Sequence, residues 1–544
     1  MANPVGVQLR RSWRRFRRRP ARVRAAILGV VLVIVVALSV GLGTSSHGGP
    51  GATGSTTTTP PGQVSTSSAG VTAHTITVAF PVSNLDALGA KLGFATDIEY
   101  NEQSKAINLF VNQINDAGGI NGRKIKPVIV NFDPTNEVAM RALCKQWTEG
   151  SGAVFAVLDG VGTWSGDNQL CITQEGHTPL ISQWTTVTNW TEEGSPYLWW
   201  TGPDDANILE ATVEWGMSAG LLGSGRKVAV IAGSRASDQL ALNSYLLPDL
   251  ARVGVKPIVE TIAADPADSA TTSAQAPEVV QRLRSEGVDS VIPLIPFNAF
   301  FPVLAAETQQ NYFPRLLLSD YEFSIQSALG LIPFPYEKAI DGQEGVTTET
   351  LGGIDDWRPE SQGGYDPGVR SCFTTWHKAY PQTPPGNQNF FIEEQGPVQA
   401  WCQQIRLFAS AATAAGRDLN RRTFVDAMAK VTDFPGGFSP VLSFGPDKFS
   451  GPTEYRVVRL HTNNPPSTLC HMPLDGIPQG VCWIIVQDWQ PLPSTTGQTS
   501  SSTSAPIGST QPGSTTQPGP TTTAAGSPSA AATRRSTRPR APST

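Results

Sequence analysis

Charge is scarce in this chain. Asp, Glu, Lys and Arg together make up 16% of its 544 residues against 39% hydrophobic residues, while Gly (52) and Pro (44) are abundant. A chain of that composition is not one continuous packed core, so linker or disordered segments are expected in it. Acidic residues are absent from both ends: nine arginines (Arg10, Arg11, Arg14, Arg15, Arg17, Arg18, Arg19, Arg22 and Arg24) crowd the start and four (Arg534, Arg535, Arg538 and Arg540) the end, whereas all 45 acidic residues lie between them. The body is therefore acidic and lacks the cationic face that nucleic-acid binding needs. Catalytic signatures are missing too. Gly162-Thr163-Trp164-Ser165-Gly166 carries its serine one place late for a nucleophile elbow. Neither H-E-x-x-H nor a phosphate loop ending in G-K-[ST] occurs. The six histidines (His47, His74, His177, His377, His461 and His471) are scattered, and no C-x-x-C spacing points to a metal. No enzyme and no cofactor is expected.

What is present begins with an uncharged apolar run at 25–42, long enough to span a bilayer core of about 30 Å. The arginines before it stay in the cytoplasm, so everything after it is exported. The run is read as an uncleaved anchor, with a signal peptide cut near Ser39 and Gly41 as the alternative. No cysteine follows it closely, so lipid attachment of the bacterial lipoprotein kind is not expected. Segments 43–73 and 491–544 are mostly Gly, Ser, Thr and Pro and bury too little apolar surface to offset ordering entropy. Both are expected to be disordered, the first as a stalk off the membrane. All six cysteines lie on the exported side, where oxidation is permitted. Of fifteen possible pairings, neighbours are expected to join: Cys144 with Cys171, Cys372 with Cys402, Cys470 with Cys482.

The body between about His74 and Gln490 alternates short Val/Ile/Leu-rich runs with helical spacing. ITVAF (Ile76 to Phe80) reads as a buried strand, and Ile107, Phe110, Val111 and Ile114 follow at three-and-four spacing until Gly118-Gly119 stops the helix. KPVIVNF, AVFAVLDG and TPLIS continue the alternation, and a second series runs through KVAVIAG, KPIVETI, DSVIPLI and PRLLLSD. Strands without polar alternation belong to parallel sheets covered on both faces. The fold class expected is α/β, with two doubly wound parallel-sheet lobes and ligands beyond the strands' carboxyl ends.

On ITVAFPVS, AINLFVNQINDAGGINGRKI, VIVNFD, GHTPLIS, YLWWTGPDDANILEATVEW and GPDKFSGPTEYRVVRL, the body resembles the type I periplasmic binding proteins of the branched-chain amino-acid (Leu/Ile/Val) family over roughly His74 to His461. The resemblance implies a two-lobed clam joined by three hinge crossings, which closes on a small-molecule solute and delivers it to the permease subunits of an ABC importer. The crossings are placed near 201–204, 341–345 and 440–444. Lobe I is then 74–203 with 345–440, and lobe II is 204–344 with 441–490. A membrane-anchored sensor on the same clam, working with a separate signalling partner, is the alternative function.

The resemblance also places the ligand contacts. From lobe I come the loops GVGTWSG and ISQWTT, with Thr163, Ser165, Ser182 and Thr185 as hydroxyl donors suited to a carboxylate. The other reading of these four is that they cap helices. Trp164 and Trp184 are candidate walls for an apolar or aromatic solute, or else core residues. From lobe II come Asp238, Phe297, Asn298, Asp320, Tyr321 and Glu322, one acid of which would hold an ammonium group. Asp86 is a further candidate. An aromatic residue near Asp238 and an acid near Tyr321 are usual in the family, and neither falls in clean register here.

Overall fold

The computed structural model describes residues 65–84, 87–88, 100–160, 162, 164, 167–183, 188–265, 268–321, 336–350, 367–381, 396–462 and 481–493. The apolar run at 25–42, the 43–64 part of the stalk, the tail after 493, Asp86 and Cys470 lie outside them. Among the described residues no helix is long and apolar enough to cross a membrane.

The first sheet has five parallel strands, β1 (Thr75–Ser83), β2 (Lys124–Phe132), β3 (Ala156–Asp159), β4 (Leu180–Ser182) and β5 (Leu198–Trp200), in the order β2-β1-β3-β4-β5. The helices α1 (Tyr100–Asp116), α2 (Glu137–Thr148), α3 (Asp167–Leu170) and α4 (Thr188–Gly194) run between them. The turn between α1 and β2 shows why DAGGINGRKI is so specific a string. Gly118, Gly119, Asn121 and Gly122 all have positive φ, and a Cβ on Gly119 would fall 2.1 Å from the Arg123 carbonyl. Asn115 then fixes the incoming strand, its amide donating to the Ile125 carbonyl and its side-chain oxygen accepting from the Ile125 N–H.

The second sheet continues the same wiring with α5 (Asp205–Ser218), β6 (Val228–Gly233), α6 (Ala236–Ala241), α7 (Leu247–Arg252), β7 (Ile258–Ile262), α8 (Ser269–Glu286), β8 (Ser290–Leu294), α9 (Phe297–Gln310), β9 (Arg315–Ser319), α10 (Glu337–Ile340) and β10 (Glu344–Thr347). The chain then returns to the first sheet through α11 (Pro367–Ala379), α12 (Gly396–Ala414), α13 (Arg421–Met428) and the small ribbon of β11 (Phe434–Pro435) and β12 (Val441–Leu442). It ends in the second sheet with β13 (Glu454–Thr462) and β14 (Val481–Pro491). That sheet has the order β7-β6-β8-β9-β10-β13-β14, parallel as far as β10 and antiparallel beyond.

Both sheets are covered on two faces, which is what the unbroken apolar strands demand. Every residue of β3 and β6 is buried, whereas the edge strands β2 and β7 carry exposed positions. One face of the first sheet packs Ile107 and Phe110 of α1, Trp376 of α11, Trp401 and Phe408 of α12 and Phe424 of α13; the other packs Met140, Trp147 and Ile172. In the second sheet Val280, Leu283, Phe300 and Leu304 cover one face and Ile208, Val213, Leu246 and Leu250 the other. Each such large side chain contributes about 1.5–3 kcal/mol on burial.

The chain passes between the sheets three times. The first passage follows Trp200, at 201–204. The other two lie later than expected. Glu344–Thr347 pairs with β9 on one side and β13 on the other, so the chain leaves the second sheet only after Thr347 and not at 341–345. Leu442 and Phe444 belong to the apolar core under the first sheet, which holds that segment there and moves the last passage from 440–444 to 450–453. That passage runs beside the first: the Trp200 N–H donates to the Phe449 carbonyl, and the Gly451 N–H to the Trp200 carbonyl.

Two disulfides are present among the described residues. Cys144–Cys171 joins α2 to the turn after α3, and Cys372–Cys402 joins α11 to α12. All four sulfurs belong to buried residues. The first bond closes a loop with sequence separation 27, for which chain entropy predicts about 3.5 kcal/mol of stabilisation. Replacing Cys144 and Cys171 together by alanine is expected to lower the unfolding free energy by that order in a denaturant titration. An unchanged midpoint would show that the bond does not constrain the unfolded chain.

Candidate functional site

In each sheet the strand order reverses between the first strand and the third: at β1/β3 in one sheet and at β6/β8 in the other. Two crossover helices diverge at such a point, and the crevice outside the carboxyl ends is where doubly wound sheets bind ligands. The candidate site therefore lies at the residues closing these strands.

Asp159 closes β3 and is fully buried. Its Oδ2 accepts the Trp164 N–H at 3.1 Å and the Ser182 hydroxyl at 2.9 Å. Ser182 thus stands at the expected strand end with its proton directed at Asp159. Trp164 is a core residue. Its ring lies against Phe132 and Trp147, and its Nε1–H donates to the Asn168 carbonyl, so the expectation that it walls a solute gives way to packing. Thr163, Ser165, Trp184 and Thr185 lie outside the described residues. Gly160 lets α12 cross directly over the end of β3, since a Cβ there would fall 2.5 Å from the Trp401 ring.

At the end of β6, Gly233 makes room for Asp238, whose carboxylate oxygen would lie 2.0 Å from a Cβ at that position. Asp238 is fully buried and held as a fork by Arg235, through Nε at 2.9 Å and Nη2 at 2.6 Å. The Tyr321 hydroxyl donates to the same carboxylate at 2.7 Å, which ties the end of β9 to that of β6. Asp238 and Tyr321 are brought together, and the carboxylate already has a cation. Asp320, beside them, accepts from the N–H and the hydroxyl of Thr348, at 2.7 and 2.9 Å. Burial pushes its carboxyl up to about 6 against the lowering effect of those donors. Burial and the neighbouring Asp320 also hold Glu349 well above the usual carboxylate range. Arg456 lies between these acids, donating to the Glu349 carbonyl at 3.1 Å and stacked over the Trp489 ring. Phe297 and Asn298 form the first turn of α9, immediately beyond β8. Glu322 lies outside the described residues.

The sequence reading missed three glutamines of α12. Gln399, Gln403 and Gln404 are all buried, and each reaches a different part of the site. The Gln404 amide donates to the Asp159 carbonyl at 3.0 Å and that of Gln403 to the Gln183 side-chain oxygen at 3.2 Å. The Gln403 oxygen accepts the N–H groups of Phe438 and Ser439. The Gln399 amide donates to the Thr350 hydroxyl at 3.4 Å. The signal was available in QAWCQQIRLF: polar residues four apart inside an otherwise apolar helix mark a buried network rather than a solvated face.

A second acidic cluster stands at the first passage. Asp204 caps α5, accepting the Asn207 N–H at 2.9 Å, and burial pushes it up to about 6. Asp205 accepts the Thr188 N–H at 2.7 Å together with the Thr188 hydroxyl, and burial pushes it up to about 7. Lys448, lowered by burial to about 8, donates to the carbonyls of Ser443, Gly451 and Pro452. Among the described residues no group of three or more His, Cys, Asp and Glu side chains is placed to hold a metal.

The acids set the pH dependence of folding. Asp204, Asp205 and Asp320 bind protons more tightly in the folded chain than at their ordinary value of 3.8. At these three groups the folded state therefore holds more protons than the unfolded state between pH 4 and 7, and their contribution to stability falls as pH rises through that window. Calorimetric unfolding is expected to give a higher midpoint at pH 5.5 than at pH 7.5. Asp205→Asn should remove about 2 kcal/mol of the difference between pH 5 and pH 7. The opposite slope would mean that these carboxylates stay ionised in the fold.

The sequence model of a family described as periplasmic binding protein matches residues 96–465. Among solved structures, a substrate-binding protein of an ABC transporter from R. palustris, in complex with 4-hydroxybenzoate, is 13% identical with a TM-score of 0.55, over 77% of this chain and 98% of that one. A fatty acid ABC transporter substrate-binding protein from Thermomonospora curvata is 18% identical with a TM-score of 0.53, over 77% and 93%. A branched chain amino acid ABC transporter protein from Thermus thermophilus with bound valine is 13% identical with a TM-score of 0.53, over 78% and 97%. At these identities the likeness is one of fold. No curated protein matches the chain.

Proposed function

The chain belongs to the periplasmic binding protein family, and from that premise we propose that it is the extracytoplasmic solute-binding subunit of an ABC importer. It takes a small amino-acid-like or otherwise polar or amphipathic solute between two lobes that close about the three passages, and it makes or breaks no bond. The first lobe is built on the β1–β5 sheet with α11, α12 and α13, the second on the remaining sheet. The apolar run at 25–42 anchors the body on the outer side of the membrane, where the permease subunits receive the solute.

The observation carrying this reading is the repeated strand order. Two sheets of the same wiring each present a switch point, and the ends of β3, β4, β6 and β9 all carry buried polar groups. A solute held there is desolvated on both sides and fixed by a few aimed donors and acceptors. The contacts proposed from the first lobe are Ser182 together with Thr163, Ser165, Trp184 and Thr185. Those proposed from the second are Asp238, Asp320 and Tyr321 together with Phe297, Asn298 and Glu322. The likeness to a protein carrying 4-hydroxybenzoate and to one carrying valine supports a small carboxylate as the common denominator.

The test is thermal unfolding of the detergent-solubilised chain against amino acids, amides, short peptides, aromatic acids, fatty acids and sugars. At one hundred times its dissociation constant a true solute stabilises the native state by about 2.7 kcal/mol, a rise of several degrees in midpoint. Asp320→Ala should abolish the shift while the unliganded chain still unfolds cooperatively. A panel without any stabilising compound would overturn the assignment.

A further inference from the structure

Two buried amide groups at the base of the first sheet's crevice have no hydrogen-bond partner on one side. Gln183 follows directly on β4 and is fully buried. Its Oε1 accepts twice, from the Thr201 hydroxyl at 2.6 Å and from the Gln403 amide at 3.2 Å. Those two donors fix which end of the amide is oxygen, and its Nε2, with two N–H groups, is left without an acceptor. Gln404 on α12 is also fully buried, and its Nε2 donates to the Asp159 carbonyl while its Oε1 accepts nothing. The Gln404 amide lies beside the Gln183 main chain, because the Gln183 backbone N–H donates to that same carbonyl, at 3.2 Å. Asp159 ends β3, one of the two strands at the switch point, and Gln183 immediately precedes Trp184 and Thr185 in the sequence.

A buried donor or acceptor left unmade costs about 1–3 kcal/mol, and here one of each belongs to residues that meet at the Asp159 carbonyl. The group that satisfies both is one that accepts from an N–H and donates to a carbonyl oxygen: a hydroxyl. We propose that Gln183 and Gln404 are specificity-determining residues of the solute site, which read a hydroxyl group of the solute. The Gln183 amide donates to the hydroxyl oxygen, and the hydroxyl proton is directed at Gln404 Oε1. The inference rests on the solute-binding reading above and narrows it to a hydroxylated small carboxylate. Ser182, one residue earlier, is committed to Asp159, so the neighbour overlooked in the sequence carries the recognition.

The experiment measures, by calorimetry on the detergent-solubilised chain, affinity for pairs that differ by one hydroxyl: 4-hydroxybenzoate against benzoate, and L-threonine against its isostere L-valine. The wild type is expected to prefer the hydroxylated member of at least one pair by ten-fold or more. Gln183→Glu keeps an oxygen for Thr201 and Gln403 and changes only the free donor into an acceptor. At pH 8 it should lose the preference, and as the pH falls and the buried carboxyl becomes protonated it should regain it. Gln404→Met should lose the preference at every pH, and it carries the test if the glutamate variant does not fold. Equal affinity within both pairs, or a preference unchanged in both variants, would overturn the proposal and assign the two amides to a bound water, leaving the solute-binding reading intact. Failure of all four compounds to bind the wild type would overturn the proposal. Silence of the wider panel as well would bring down the reading beneath it.

Discussion

The side chain of Gln403 holds the chain passages between the two sheets in register. Its oxygen accepts two successive backbone N–H groups, of Phe438 and Ser439, and its amide donates to Gln183, which also takes the hydroxyl of Thr201 from the first passage. The Phe438 carbonyl in turn accepts the N–H and the hydroxyl of Thr350, in the second passage, and the Ser439 hydroxyl reaches the Thr201 carbonyl. The third passage joins the first through Ser450, whose hydroxyl donates to the Gly202 carbonyl at 3.0 Å. Irregular backbone is thereby buried with its polar groups met. In a low-dielectric interior such bonds reinforce one another, and loss of one member leaves others costly.

This network explains why the return helices α11, α12 and α13 lie in the first lobe, although they follow the second sheet in sequence. The apolar face of α12 contributes Trp401 and Phe408 to the core under the first sheet, and its polar stripe contributes the three glutamines. One helix thus both fills a core and ties the chain passages together, and the Cys372–Cys402 bond pins it to α11.

The two lobes use their strand ends differently. The first presents neutral amides and hydroxyls, with Asp159 as the acid, and that acid accepts from Ser182 and Trp164. The second buries a string of acids: Asp238, compensated by Arg235, and Asp320 and Glu349, with Arg456 alongside. Burial of those carboxyls is an energetic burden that the fold tolerates. A solute between the lobes would meet neutral donors and acceptors on one side and a compensated charge cluster on the other.

Periodicity and composition alone determined the parallel α/β class, the run of the strands from ITVAF to PRLLLSD, and the turn at DAGGINGRKI, because those depend on local spacing and on which residues tolerate positive φ. They also pointed to the strand ends: Ser182 closes β4 and Asp320 and Tyr321 directly follow β9, while Asp238 stands in the first turn of α6 beyond β6. Tertiary structure decided what each of these side chains is bonded to. Trp164 became a core residue because α2 and β2 bring Trp147 and Phe132 against it, Asp238 received a cation from Arg235, and the second and third passages moved downstream because sheet pairing holds Glu344–Thr347 and apolar burial holds Leu442 and Phe444. The glutamines of α12 became visible as a site only when residues more than two hundred positions from Gln183 were folded against it. A hydrogen bond depends on where two chain segments meet, and sequence spacing does not contain that distance.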